Sequence, residues 1–213
     1  ESNFDYKYGV GFSTRYYKQR RASFERNNDI ASWNAQYQGQ PIEREGSLFA
    51  SGDRRFFNGV LPEKEPARIF MAVDPAFGGS DFTASPVCYQ FDNDVYVVDV
   101  VFTDGDKRES IPLLAKAVQK WHVGTMQIEA NKMTEGYAEE LQAYMRQNGI
   151  YCTITTKPAP NKVSKEQRIF DRAPEIRESF LFLENGQRSK TYQQFMDNVF
   201  SFTIMKRNKH DDA

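Results

Sequence analysis

Two acidic residues end runs of apolar sequence. Asp74 closes the stretch Ile69–Val73 in "IFMAVDPAFGGSD", and Glu129 closes "VGTMQIE". A third acidic point, Asp211-Asp212, stands at the end of the chain in "KHDDA". Each has an ordinary explanation when taken alone, since an aspartate after a strand is often a turn former or a helix cap. Taken together they point to chemistry. Two adjacent carboxylates cannot both stay ionised cheaply, so one takes a proton or a cation sits between them. Donors that are all oxygen favour Mg²⁺ or Mn²⁺. Three acids around such cations are the least that a two-metal phosphodiester hydrolysis needs.

The elements that must position these acids can be read in order. "RIFMAVD" from Arg68 is a continuous apolar run, as in a strand covered on both faces. "TASPVCYQF" (83–91) and "DVYVVDVVF" (94–102) follow, joined by "DND", a hairpin signal. "SIPLLAKAVQKW" predicts a helix capped by Ser110, with Pro112 in its first turn and Ile111, Leu114, Val118 and Trp121 on one face. The strand ending at Glu129 comes next. "TEGYAEELQAYMRQNG" then predicts a helix with Tyr137, Leu141, Tyr144 and Met145 on one stripe and Gly149 as its stop. "IYCTITTK" (150–157) reads as a strand, and Ser164 with Gln167 forms a capping box for a helix near 165–173. "SFLFLE" (179–184) reads as a short strand. "TYQQFMDNVFSF" closes as a helix with Tyr192, Phe195, Met196 and Val199 inward.

This order describes an α/β fold. An antiparallel three-strand meander followed by right-handed crossovers gives a mixed sheet with parallel strands, flanked by helices. The strand of Glu129 then belongs beside the strand of Asp74, with the two acids about 5 Å apart across the ladder.

Composition sets the limits. The chain has 213 residues, 39% hydrophobic and 27% charged, with net charge −1, which suits one sizeable globular domain with some extra length. Nothing is basic overall, so nucleic-acid contact must come from local clusters, which lie at Arg15–Arg26, Lys157–Arg168 and Lys206–Lys209. Lys157, Lys162, Lys165 and Arg168 follow a strand that should open on the same sheet edge as the acids, so phosphate contact is expected of them, and of Lys132 just past Glu129. Cys88 and Cys152 show no metal-type spacing and read as core thiols in a reducing compartment. No run reaches membrane-spanning length and no signal peptide is visible. Residues 1–65 are polar, basic and aromatic, with helices expected around 14–26 and 29–38 and no strong strand. They read as a connecting arm ahead of a main domain at 66–213, and the chain as an excised piece of a longer protein.

The segments "MAVDPAFGGSDFTA", "MQIEANK", "NKVSKEQR" and "KHDDA", in this order and spacing, resemble the nuclease domain of the large terminase subunit of tailed bacteriophages, which has the ribonuclease H-like fold. "ASWNAQYQGQPIEREGSLF" is similar to the segment that joins the motor ATPase to the nuclease in those proteins. The resemblance covers nearly the whole chain. It implies that Asp74, Glu129 and Asp211 or Asp212 are the catalytic metal ligands, with Asp81 a weaker, outer candidate and His210 beside the terminal pair. It implies two divalent cations, Mg²⁺ or Mn²⁺, and endonucleolytic cutting of double-stranded DNA concatemers during viral genome packaging. The implied partners are the missing ATPase domain of the same chain, the portal protein and the small terminase subunit. The implied setting is the host cytoplasm, transiently at the procapsid, with no membrane. No G-x-x-x-x-G-K-[ST] occurs, and "GVGFST" lacks the lysine, so no nucleotide is expected in this domain. Two alternatives stay open: a junction resolvase or transposase-like nuclease of the same fold, and a non-catalytic DNA-docking module whose acids are structural. The arm at 29–49 favours the packaging family over the first.

Overall fold

The structure, a computed structural model, describes residues 14–26, 33, 37, 48–49, 54–76, 81–130, 136–158 and 165–202. The chain forms two compact units, Glu1–Glu45 and Gly46–Ala213. In the first, α1 (Thr14–Arg26) is the expected helix. It buries no residue along its own length and is held by aromatic contacts. Phe24 lies 6.1 Å from Trp33, and Trp33 stacks on Tyr37 at 4.4 Å. Most of the second expected helix, near 29–38, lies outside the described residues.

The second unit is built on a seven-stranded mixed sheet, in agreement with the expected α/β architecture. Its strands are β1 (Arg55–Phe57), β2 (Arg68–Val73), β3 (Thr83–Phe91), β4 (Asp94–Thr103), β5 (Thr125–Ala130), β6 (Thr153–Pro158) and β7 (Phe180–Leu183). The spatial order is β1-β7-β4-β3-β2-β5-β6. β3 runs antiparallel to β2 and β4, while β2, β5 and β6 are mutually parallel. The β3–β4 turn has Asp92 at φ 52°, a left-handed conformation that aspartate tolerates better than most residues.

Alternation along the strands decides what each face buries. Met71, Val73, Met126 and Ile128 point into one core with α2 (Lys107–Trp121) and α3 (Tyr137–Gln147), which contribute Ile111, Leu114, Val118, Tyr137, Leu141 and Met145. Leu114 and Leu141 are fully buried, each worth about 1.5–3 kcal/mol of transfer free energy. On the other face α5 (Lys190–Ser201) sets Tyr192, Phe195 and Met196 against Cys88, Val97 and Phe182. α5 is capped by Ser189, whose Oγ accepts from Tyr192 N at 3.1 Å.

Three elements differ from the sequence reading. β1 falls in a region where the sequence predicts no strand. Three residues carry no readable alternation, and the strand exists because it pairs in parallel with the distant β7. Arg55 secures it by donating to Asp94 at 2.8 Å and to Glu178 O at 2.5 Å. α2 begins before Ser110, because Asp106 caps it by accepting from Arg108 N at 2.8 Å. Pro112 therefore lies inside the helix. Ser110 is fully buried, and its hydroxyl shares a 2.8 Å hydrogen bond with Tyr137 OH that ties α2 to α3. α4 (Lys165–Ser179) runs past the expected stop and through Pro174. Buried Ala173 and half-buried Ile176 on that stretch pack inward, and this burial carries the helix on. Ser164 lies outside the described residues.

Candidate metal and nucleic-acid site

β2 and β5 are parallel neighbours whose last registered pair is Val73 opposite Ile128. One residue further along each strand stand Asp74 and Glu129. Asp74 keeps its backbone in the sheet. Its N–H donates to Ala84 O and its carbonyl accepts from Ala84 N, both at 3.0 Å. Ala76 N then donates to Thr83 Oγ1 at 3.0 Å. The acid thus sits at the last closed rung before a loop, which fixes its Cα while the side chain remains about one-third exposed.

Both carboxylates line one cleft of about 400 Å³. Its floor includes Ala72 and Gln127, and its apolar depth includes Ile176 and Phe195 from the helical side and Phe182 from β7. α4 supplies the opposing charges. Lys165 Nζ lies 3.4 Å from Asp74 Oδ2, and Arg168 Nη1 lies 3.2 Å from Glu129 Oε2. The spacing Lys165, Arg168, Arg172 puts three cations on one helix face, and all three line the cleft. The Nε–H of Arg168 is buried with no hydrogen-bond partner among the described residues. Buried donors are rarely left so, and this one suits an anionic ligand.

The donor set fits a divalent cation in part. Two carboxylates from adjacent strands reach one cleft, each already facing a positive group, so positive charge is what this position is built to hold. Among the described residues no three His, Cys, Asp or Glu gather as metal ligands. Asp211, Asp212 and His210 lie outside the described residues, as do Lys132, Lys162, Gly78 and Gly79. Asp81 is exposed and does not line the cleft. Lys157 is exposed on β6, directly across from Glu129 in the ladder.

Sequence reasoning places Lys165 and Arg168 near phosphate but does not pair them with the acids. It misses Arg172, which the helical i, i+4 step from Arg168 signals, and Gln127, two residues before Glu129 on the same strand face. Among the described residues no helix is long and apolar enough to cross a membrane.

Comparison with known proteins bears on the fold and the family. No curated protein matches the sequence. Among solved structures, the large terminase of a thermophilic bacteriophage in complex with ADP is similar, with TM-score 0.57 at 14% identity, over 90% of this chain and 44% of that one. The human cytomegalovirus terminase nuclease domain, soaked in Mn with an inhibitor bound, gives TM-score 0.51 at 11% identity, over 78% of this chain and 89% of that one. At such identities the likeness is one of fold, here ribonuclease H-like. This chain spans less than half of the thermophilic phage protein. The family described as Terminase Bacteriophage T7, Ribonuclease H-like domain, matches residues 73–179, just over half of the chain. That stretch holds both strand-terminal acids and the whole of the cationic helix α4, and by this match the chain belongs to the bacteriophage T7 terminase ribonuclease H-like domain family.

Proposed function

We propose that this chain is a metal-dependent endonuclease that cuts double-stranded DNA concatemers during viral genome packaging. The observation that carries the reading is the placement of Asp74 and Glu129 one step beyond a registered parallel pair, lining one cleft. Family membership and the Mn-soaked state of the cytomegalovirus relative support it. Residues 66–213 form the nuclease domain. Residues 1–65 are the arm from an ATPase domain, with β1, the arm's last strand, entering the sheet. The portal protein and small terminase subunit are its partners, with the host cytoplasm and procapsid as its setting.

Asp74 and Glu129 would hold one divalent cation between them, and Asp211 or Asp212 with Asp74 a second, with Asp81 further out. When bound, Mg²⁺ or Mn²⁺ supplies an activated water and charge stabilisation at the departing oxygen. The chain does the rest. The closed Asp74–Ala84 rung keeps the acid from swinging away from the sheet edge. Arg168 steadies the Glu129 carboxylate, and its guanidinium, which lines the cleft, would meet a phosphate oxygen there. Lys165, Lys157, Lys162 and Lys132 hold the DNA backbone. Such contacts carry no base information, so cutting is largely independent of sequence.

The test is nicking of supercoiled plasmid with Mn²⁺, with Mg²⁺ and with EDTA. Cutting with metal that is lost in EDTA and in Asp74→Ala supports the reading. Cutting in EDTA sinks it, and DNA binding with no cutting under any metal favours the docking-module alternative. A four-way junction in the same assay, cut in strong preference to duplex, would favour the resolvase reading.

A further inference from the structure

The ladder places three cross-strand rows on the face of the sheet that bears the acids. The first is Asp74, Glu129 and Lys157, the second Ala72, Gln127 and Thr155, and the third Phe70, Thr125 and Thr153. On the opposite face β2 and β5 are sealed, with Met126 and Ile128 at 0% and 1% exposure, whereas the edge strand β6 has Thr156 exposed there. On this face Ala72, Thr125, Gln127, Thr153, Thr155 and Lys157 are exposed. Parallel strands are ordinarily covered on both sides. Here β2 and β5 are covered on one side among the described residues, and the open side carries hydroxyls, an amide and a cation, with Ala72 and half-buried Phe70 as its apolar members.

We propose that this open half of the sheet is a platform for the sugar-phosphate backbone of DNA leading into the acidic cleft. The inference rests on the nuclease reading for its substrate. Three features fit a nucleic-acid backbone, and the third, charge, favours it over a peptide. The rows repeat about every 6.6 Å along the strands, which is the order of the phosphate-to-phosphate step along a nucleic-acid strand. Thr125, Gln127 and Thr153 offer donors that an apolar partner would leave unpaired at a cost. Charge is complementary as well. Arg68 stands at the far end of the platform, Lys157 at the near end, and Lys165 and Arg168 along its side, against the two acids. The chain as a whole is at net charge −1, so this local excess is what would gather an anion.

The experiment measures binding of a fluorescent duplex to the chain in EDTA, across a salt series, for Thr125→Glu/Thr155→Glu and for Thr125→Ser/Thr155→Ser. The glutamate pair adds two negative charges at exposed positions that belong to neither the acid pair nor the core. The proposal expects Kd to rise at least about tenfold at low salt for the glutamate pair. It expects little change for the serine pair and a melting temperature near that of the parent for both. A Kd within twofold of the parent in the glutamate pair overturns it. So does a large drop in melting temperature, because the face would then be covered by protein. Metal-dependent nicking by the parent chain is scored in parallel. If the parent fails to nick while the glutamate pair weakens binding, the platform stands and the nuclease reading falls. If the parent nicks and binding is unmoved, the platform alone falls.

Discussion

The Arg168 guanidinium donates to the Glu129 carboxylate across 3.2 Å, although 39 residues separate the two in sequence. The same helix brings Lys165 to Asp74 over a separation of 91 residues. Each acid of the cleft therefore has a cationic neighbour of its own from α4.

This pairing sets the stability expected of acid variants. Two bare carboxylates at one sheet edge would repel, and removing one would stabilise the fold. With each acid paired and about one-third exposed, that gain is largely cancelled. Asp74→Ala and Glu129→Ala should change unfolding free energy by no more than about 1 kcal/mol. Nicking should fall by more than the roughly 100-fold typical of losing a residue that merely supports a metal ligand. Urea midpoints and plasmid assays on the same preparations check both halves. A large loss of stability with activity retained would show that the acids are structural.

Arg168 should compete with metal for Glu129. Arg168→Gln removes that competitor and is expected to tighten Mn²⁺ binding several-fold in the absence of DNA, read by the loss of the free-ion paramagnetic resonance signal. It should weaken DNA binding at the same time, because a phosphate donor is lost. Arg168→Lys should restore part of the DNA affinity. Weaker Mn²⁺ binding in the glutamine variant would mean that Arg168 only props the carboxylate in place.

Tyr192 bears on the fold and not on the chemistry. Its hydroxyl donates to Val97 O at 2.7 Å and accepts from Leu183 N at 3.1 Å, so it bolts α5 to both β4 and β7. Tyr192→Phe leaves buried backbone groups without a partner and should cost about 1–3 kcal/mol by urea denaturation. Plasmid nicking at low temperature should survive.

The thiol of Cys88 gives a pH dependence. Burial pushes it from 9.0 up to about 12, with Arg68 pulling the other way. In the unfolded chain the thiol ionises above pH 9, while the folded one stays protonated. Stability is thus fully present below pH 9 and is lost as pH rises toward 12, on the order of 1 kcal/mol per pH unit. Cys88→Ala should start less stable, because of the cavity, and should fall less steeply between about pH 9 and 10.5 in urea melts.

Much of this is legible in the sequence, for identifiable reasons. An apolar run ending on a carboxylate is a one-dimensional signal, so Asp74 and Glu129 can be singled out, and the hairpin and crossover order puts their strands side by side. The cap of α2 is misplaced because its first turn, Lys107–Glu109, is charged and exposed and carries no apolar periodicity. Ser110 stands at the point where that periodicity begins. β1 is invisible because three residues show no alternation. The partners of the acids are hidden for another reason. Which cation reaches which carboxylate depends on how α4 docks on the sheet, and spacing along the chain does not encode that.

β1 also shapes how the molecule must be made. Its Arg55 reaches Glu178, 123 residues downstream, and its ladder partner β7 begins only at Phe180. At a synthesis rate of about 5–20 residues per second, the strand waits roughly 6–25 seconds for its partner to be made. Phe56 and Phe57 remain without their ladder for that time. The first strand of the sheet to leave the ribosome is the last to be seated, and any nascent chain that stalls before β7 carries an unpaired aromatic edge that invites chaperones or aggregation.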